Sequence, residues 1–217
     1  MTFLSDTRAL SRGTRILILL VGLGMMGMSA ATPSAAQPEE LPLGSRLPAT
    51  DASLTRVDGT TTSVTDVLGP DATVFIFWSN QCPWVDKYEA RVQAMVEEYS
   101  DQGVRFVLVN ANDASAFPRE SLEASLERAE SSGYDATYVR DDGAQLASAL
   151  GASRTPHVFV FDDQRTLVYA GSIDNSPADA DGVTKPYLRD ALTAVLADDA
   201  VPVSDTKAFG CMLKDPS

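Results

Sequence analysis

Residues 72–85, ATVFIFWSNQCPWV, contain the most informative secondary-structure pattern of the chain. Its first half, Ala72–Trp78, is a continuous run of apolar residues rich in β-branched and aromatic types, which is typical of a strand buried on both faces of a sheet. Pro83 opens a helical pattern that ends at Gly103, and proline suits a first helical turn because its missing N–H needs no partner there. The sequence therefore predicts a buried strand, a short turn carrying Cys82, and a helix.

Strand and helix patterns alternate along the rest of the chain. After a hairpin around Asp58-Gly59, the predicted order is strand, helix, strand, helix, strand, helix, strand, strand, helix. The segments are ATVFIFW, the helix after Pro83, VRFVLVNAND, RESLEASLERAESSG, ATYVRDD, AQLASALG, HVFVFDD, TLVYAGS and TKPYLRDALTAVLADD. Alternating strands and helices favour parallel pairing, while the last two strands form an antiparallel hairpin. We expect an α/β fold with a mixed central β-sheet flanked by helices on both faces.

The N-terminal segment has a different composition from this predicted domain. A basic leader with three arginines, the apolar run ILILLVGLGMMGM and the small-residue stretch SAATPSAAQ follow one another. That order is typical of a secretory signal peptide, and the run is shorter than the about 20 apolar residues of a membrane span. An uncleaved anchor is the alternative. We expect a signal peptide over residues 1–36, one domain over 37–217 that includes an extended C-terminal arm at 200–217, and a periplasmic or extracellular location.

The charge of the chain excludes some classes of partner. The formal net charge is −13, and without residues 1–36 it becomes −15, from 14 basic and 29 acidic residues. Nucleic acid and anionic lipid surfaces bind to clusters of Lys and Arg, so neither is an expected partner. With one His and two cysteines, a structural zinc site is close to excluded. No cofactor and no metal are expected, and the sequence does not indicate an oligomeric state.

Cys82 is the main candidate for chemistry. At a helix N-terminus, the free N–H groups and the positive end of the helix dipole lower the pKa of a thiol. The resulting thiolate is the nucleophile of disulfide exchange and the species that peroxides oxidise. Trp78 and Trp84 flank the site and offer an apolar surface for a partner, next to Pro83. A buried, inert cysteine in a strand-to-helix turn is the alternative interpretation.

Two stretches carry a family resemblance. FIFWSNQCPW, followed by SRTPHVFVFD, resembles the thioredoxin superfamily. The resemblance implies that Cys82 is the nucleophile, that the Thr155-Pro156 bond is cis and lies beside it, and that Trp78 is the aromatic residue of the approach strand. SNQCPWV and GCMLK are most similar to the redoxin, or peroxiredoxin-like thiol peroxidase, branch, which tends to read Cys-Asn-His-Cys-Pro-Tyr-Val and to end in Gly-Cys-x-Ile-Lys. The similarity spans roughly residues 40–214.

The departures from that pattern remove the usual second thiol. Ser79 stands where this branch often has its first cysteine, and Gln81 where it has histidine. Val85 occupies the position of the second cysteine of a thioredoxin Cys-x-x-Cys pair. The peroxiredoxin signature Pro-x-x-x-Thr-x-x-Cys is also missing, because Phe75 and Ser79 occupy its Pro and Thr positions. A mixed disulfide at Cys82 is therefore resolved by Cys211, by an external thiol or by no thiol at all.

Cys211 is the second cysteine, 129 positions further along the chain. It lies in the arm VPVSDTKAFGCMLKDPS, which can wrap back over the domain, and Gly210 permits a close approach. Three alternatives remain: a redox-active Cys82–Cys211 couple, a static bridge, or an unpaired Cys211. A bridge closing so long a loop would stabilise the fold by roughly 5 kcal/mol in the chain-entropy model.

Three functions follow from these alternatives. The first is an exported thiol–disulfide oxidoreductase with Cys82 as nucleophile and Cys211 as resolving cysteine, acting on protein or small-molecule thiols and disulfides. The second is a thiol peroxidase in which a peroxide oxidises Cys82. The third is a redox-inactive binding domain held by a structural disulfide. The site predicted for all three comprises the catalytic Cys82 and Cys211 and the substrate-binding Trp78, Pro83, Trp84, Thr155 and Pro156. His157 fits a strand-start histidine with a satisfied hydrogen bond better than a proton shuttle, and Arg154 fits a surface arginine.

Overall fold

The computed structural model describes residues 39–214. The predicted signal peptide, residues 1–36, lies outside this range, as do the last three positions of the predicted arm. Nine strands and four helices are present in the described part. The strands are β1 (Ser53–Arg56), β2 (Thr61–Ser63), β3 (Ala72–Phe77), β4 (Val104–Asn110), β5 (Thr137–Arg140), β6 (Arg154–Thr155), β7 (His157–Asp162), β8 (Leu167–Gly171) and β9 (Cys211–Met212). The helices are α1 (Pro83–Tyr99), α2 (Leu122–Ser132), α3 (Gln145–Leu150) and α4 (Tyr187–Leu196).

Seven strands form one sheet with the order β2-β1-β5-β4-β3-β7-β8. β3 lies inside this sheet, with every residue buried, and it pairs in parallel with β4 and antiparallel with β7. β4 also pairs in parallel with β5, whereas the hairpins β1-β2 and β7-β8 are antiparallel. These pairings confirm the predicted mixed sheet. Apolar strands joined by helices pair in parallel here, and short turns produce the antiparallel hairpins.

Helices cover both faces of the sheet, as the sequence predicts. On one face, α1 and α4 pack against alternate residues of β3, β4 and β7, through the side chains of Val85, Tyr88, Val92, Leu188 and Leu192. On the other face, Leu146, Ala147 and Leu150 of α3 pack against the phenylalanines of β3 and β7. Phe75 contacts Phe161 and Phe77 contacts Phe159 edge to face, with ring centroids 6.0 and 5.8 Å apart. The alternation of side chains in a strand supplies both faces from the same segments.

α1 begins where the proline pattern predicts. Cys82 is the N-cap, with extended backbone dihedral angles, and Pro83 is the first helical residue. The helix continues to Tyr99, passes into a 3₁₀ turn over Ser100–Gln102, and ends at Gly103 in the left-handed region with φ 77°. Glycine adopts that conformation without strain, which is why it terminates helices.

The start of α2 differs from the sequence prediction by three residues. The pattern predicts a helix from Arg119, but α2 begins after Ser121, whose side chain accepts a hydrogen bond from the Ala124 N–H at 3.2 Å. The preceding residues Pro118–Glu120 form a separate 3₁₀ turn that carries Glu120 into the interior. A serine N-cap satisfies a free N–H of the first turn and therefore sets the helix start.

The C-terminal arm runs beside the edge strand β8 and reaches the end of the sheet at which β3 stops. Its backbone pairs with β8 first, through Ala170 N–H to Ser204 O and Thr206 N–H to Ala170 O, both at 3.0 Å. Further on, β9 pairs antiparallel with β6, Thr155 opposite Cys211. The predicted wrapping of the arm is confirmed, whereas the β6–β9 pairing was not predicted. Within residues 39–214 we find no helix with the length and apolar character needed to cross a bilayer.

Candidate functional site

Cys82 and Cys211 form a disulfide bond in the structure. Their Cα atoms are 6.0 Å apart, within the range that disulfide bonds span. This pairing confirms that the arm brings Cys211 to Cys82 and overturns the alternative of an unpaired Cys211. The bond joins the N-cap of α1 to the strand that the arm adds beside β6.

The arm packs against the segment that precedes Pro156, which forms β6. The Thr155-Pro156 peptide bond is cis, as the family resemblance implies. The carbonyl oxygen of Thr155 lies 3.1 Å from Sγ of Cys82, and Thr155 is paired with Cys211 in the small sheet. A Cβ atom at Gly210 would overlap this same carbonyl oxygen, so only glycine permits the close approach of the arm.

Several hydrogen bonds fix the end of the arm around the disulfide. Leu213 donates its N–H to Ser153 O at 3.0 Å, and Lys214 donates its N–H to Asn112 Oδ1 at 3.1 Å. Arg154, expected to be a surface residue, donates from a guanidinium nitrogen to Gly210 O at 3.4 Å. The arm is therefore held by backbone contacts on both sides of Cys211, independently of the disulfide.

The two sulfur-bearing residues differ in exposure. Cys82 is 1% exposed, whereas Cys211 is only partly buried. On either side of Cys211, the side chains of Phe209 and Met212 are 44% and 57% exposed. Phe209 contacts Trp84 edge to face, with ring centroids 4.7 Å apart. The surface around the bridge is thus apolar, and most of it comes from the arm.

Beneath the turn before Cys82 lies a buried carboxylate, Glu120, with 0% exposure. It accepts hydrogen bonds from Ser79 Oγ at 2.6 Å, from the Asn80 N–H at 2.9 Å and from Asn110 Nδ2 at 3.0 Å. The ammonium of Lys214 in the arm lies 3.9 Å away. Because charged acceptors make strong hydrogen bonds, Glu120 fixes the backbone that presents Cys82 to the arm.

A layer of polar side chains extends this arrangement along the ends of β4 and β5. Asn110 Oδ1 accepts from Asn112 Nδ2 at 2.8 Å, and the same amide donates to Trp78 O at 3.0 Å. Tyr138 donates to Asn80 Oδ1 at 2.7 Å, and burial raises the pKa of this phenol. Arg140, 2% exposed, donates to Asn112 O at 3.1 Å. The layer connects the Cys82 turn to the arm through Asn112.

Sequence reasoning did not identify these polar residues as part of the site. The available signal was the run VNAND at the end of a buried strand, because asparagines there lie at the carboxyl edge of the sheet beside Cys82. Asp141 follows β5 at the same edge, and burial raises the pKa of its carboxyl. Within residues 39–214, no three His, Cys, Asp or Glu side chains are grouped so as to hold a metal ion.

The predicted substrate-binding residues fall into two groups. Pro83 is exposed and Trp84 is partly exposed, whereas Thr155 and Pro156 are buried beneath the arm. Trp78 is a correction: it is 0% exposed and its indole N–H donates to Tyr134 Oη at 3.1 Å. A tryptophan at the end of a fully buried strand packs in the core, and therefore its side chain offers no surface to a partner.

His157 and Ser79 make contacts within the protein interior. His157 is 0% exposed and packs against Phe159. Its Nδ1 accepts from the Ser153 N–H at 3.4 Å, and its Nε2 lies 3.3 Å from Glu40 Oε2 without hydrogen-bond geometry. The hydrogen bond predicted for this strand-start histidine is present at Nδ1 and not at Nε2. Ser79 uses its hydroxyl on Glu120 and accepts from the Gln81 N–H at 3.2 Å, so it shapes the turn.

Two solved structures resemble this chain over most of its length. A hypothetical protein from Sinorhizobium meliloti is 33% identical, with a TM-score of 0.75, and the match covers 82% of this chain and 97% of that one. An uncharacterized conserved protein from Geobacillus kaustophilus is 36% identical, also with a TM-score of 0.75, and the match covers 81% and 94%. Both proteins share the fold and a recognisable part of the sequence.

A third structure, titled a candidate thiol:disulfide interchange protein DsbE from Chlorobium tepidum, is 19% identical with a TM-score of 0.57. The match covers 72% of this chain and 99% of that one, and it shows the thioredoxin-like fold alone. No curated protein matches the chain. The Redoxin family matches residues 42–185, a range that includes β1 through β8, the Cys82 turn and the cis-Pro156. The chain therefore belongs to the Redoxin family of the thioredoxin superfamily.

Proposed function

We propose that this protein is an exported thiol–disulfide oxidoreductase whose Cys82–Cys211 bridge is a redox couple. The observation that carries the proposal is the place of the bridge: it joins the N-cap of α1 to an arm residue that is partly exposed. A static staple does not need a helix N-terminus beneath it, whereas a couple gains from one because the thiolate form is stabilised after reduction.

In the proposed cycle, the bridge accepts two electrons from a partner dithiol and becomes two thiols, and a partner disulfide reverses the reaction. Cys211 takes the place of the cysteine that Val85 removes from the local motif. The fold supports this substitution because two residues that follow Cys211 hold the arm in place. The Leu213 N–H donates to Ser153 O, and the Lys214 N–H donates to Asn112 Oδ1. Cys211 can therefore stay near Cys82 in both redox states.

We further propose that partners contact Trp84 next to the bridge, whereas Thr155 and Pro156, buried beneath the arm, position Cys211 beside Cys82. Trp84 and Phe209 form one wall of a surface groove of about 450 Å³ next to the arm. An apolar groove beside a disulfide suits the residues that flank a cysteine in a partner protein. Pro83, the first residue of α1, directly precedes Trp84 and so fixes the backbone that carries this side chain.

Export is part of the proposal, because disulfides form and persist in oxidising compartments and are rare in the cytosol. The basic, apolar and small-residue order of residues 1–36 is typical of a secretory signal. Protein thiols and small-molecule thiols outside the cytoplasm are the proposed partners.

The test is a thiol count on the folded protein across a series of dithiothreitol redox buffers. We expect two thiols to appear together at a potential well above the roughly −300 mV typical of structural disulfides, while the fold is retained. Cys82→Ser and Cys211→Ser should each show one thiol and lose turnover of an insulin-type disulfide substrate. If the bridge opens only when the protein unfolds, it is a static staple and the proposal fails.

The peroxidase alternative is separated by a second measurement on the same samples. Reduced protein is exposed to hydrogen peroxide, and the loss of peroxide and the return of the bridge are followed together. Rapid peroxide consumption that depends on Cys82, with slow exchange toward disulfide substrates, would replace the proposed activity with a peroxidase.

A further inference from the structure

We propose that an incoming thiolate attacks the sulfur of Cys211 rather than that of Cys82, so that Cys82 is the leaving thiolate. This inference rests on the proposed redox function and assigns the order of its steps. It reverses the order predicted from the sequence, in which Cys82 meets the partner and Cys211 resolves.

Access is the first argument. Attack on a disulfide requires that the thiolate reach one sulfur from the side opposite its bonded partner. Cys82 is 1% exposed, its sulfur lies against the Thr155 carbonyl at 3.1 Å, and α1 starts directly behind it. Cys211 is partly exposed at the surface of the arm. The sulfur that a partner can approach is therefore that of Cys211.

The leaving group is the second, independent argument. Exchange is faster when the departing thiolate is the more stable one. Cys82 is the N-cap of the 17-residue helix α1, where the helix dipole and free N–H groups stabilise a negative charge. Cys211 lies in a two-residue strand and is not itself the N-cap of a helix. Departure of Cys82 from an attacked Cys211 is thus the favoured direction of bond breaking.

The exchange proceeds by two successive substitutions at sulfur. The partner thiolate forms a bond to Cys211 Sγ, the Cys82–Cys211 bond breaks, and its electron pair remains on Cys82. A second partner thiolate then attacks the partner sulfur of this mixed disulfide, and Cys211 leaves as a thiolate. Two partner thiols become one disulfide, one protein disulfide becomes two cysteine thiols, and the two protons released by the partner protonate them. In the reverse direction, Cys211 attacks the partner disulfide and Cys82 resolves the adduct.

The experiment maps the first adduct. Purified oxidised protein is mixed with excess 2-mercaptoethanesulfonate, quenched with acid and N-ethylmaleimide after successively shorter times, and analysed by peptide mass spectrometry. We expect the adduct on Cys211 and the maleimide on Cys82, with a preference on the order of tenfold at the earliest times. Extrapolation to zero time removes any later transfer of the adduct between the two cysteines.

The outcomes separate this inference from the function on which it rests. An adduct found mainly on Cys82 at the earliest times would overturn the inference and leave the redox function intact. Absence of any adduct in the folded protein, with adducts in urea-unfolded protein, would overturn both, because the bridge would then be inert in the native state.

Discussion

At the scale of single residues, Glu120 is a fully buried acidic side chain near the bridge. Its carboxylate is 0% exposed and accepts hydrogen bonds from Ser79, Asn80 and Asn110. We predict that Glu120→Gln lowers the free energy of unfolding by about 1–3 kcal/mol, because the amide keeps one oxygen and places N–H groups where a charged acceptor stood. Urea unfolding of oxidised protein measures this change.

Glu123→Gln is the matched control for this variant. Glu123 is exposed in the first turn of α2, three residues from Glu120, and the same change there should alter stability by less than about 0.5 kcal/mol. Equal or greater stability of Glu120→Gln would show that the buried group does not act as a charged acceptor for the Cys82 turn.

The residues of the site could be predicted from sequence only where the signal was local. Cys82 before Pro83 marks a helix N-terminus, and Pro156 was found through its resemblance to a family motif. Glu120 gave no such signal, because its partners at 79 and 80 lie 40 positions or more away along the chain. Trp78 was misinterpreted because its place next to the Cys82 turn suggested a surface role, although it ends a continuous apolar run and its ring packs against Tyr134 in the interior.

Among the elements, the arm is held at the site by one close backbone contact. A Cβ at Gly210 would overlap the Thr155 carbonyl oxygen, so Gly210→Ala must separate β9 from β6 or displace the segment before Pro156. We predict that the reduction potential of the bridge in this variant is less negative than in wild type by at least about 30 mV. The reason is that the arm no longer presents Cys211 to Cys82 in the paired geometry. Thiol counts in dithiothreitol buffers measure the difference.

Gly143→Ala provides the comparison. A Cβ at Gly143 meets only the side chain of Gln145, at 3.6 Å, which is ordinary contact, and its potential should match that of wild type. An unchanged potential in Gly210→Ala would mean that the β6–β9 pairing does not control the bridge.

Most elements followed from periodicity, whereas the small sheet did not. The continuous apolar run of β3 and the helical spacing of α1 depend on neighbours within one segment. β3 ends one residue before its predicted end, and α1 begins at the predicted Pro83, while the last predicted turn is the 3₁₀ turn Ser100–Gln102. β6 and β9 have two residues each, too few to show alternation, and they pair across a separation of more than 50 positions. The wrapping of the arm was expected, but its addition as a strand depends on contacts that no short pattern encodes.

For the whole molecule, the stability gained from the bridge and its ease of reduction are two sides of one thermodynamic cycle. The bridge closes a loop of 129 positions, for which the chain-entropy model gives about 5 kcal/mol of stabilisation. At 1.4 kcal/mol per 30 mV, the same amount makes the native disulfide roughly 100 mV harder to reduce than in the unfolded chain. A bridge that is easily reduced in the folded protein must therefore stabilise it by much less than that model predicts.

We predict that reduction lowers the free energy of unfolding by less than about half of that 5 kcal/mol. The reduced fold keeps the hydrogen bonds from Leu213 and Lys214 that hold the arm, and it gains a Cys82 thiolate stabilised by the start of α1. Urea unfolding with and without dithiothreitol measures the loss, and the potentials of native and urea-unfolded protein must differ by the equivalent amount. A loss of about 5 kcal/mol or more would identify the bridge as a structural staple, because a fold that depends on its disulfide so strongly would also hold it against reduction.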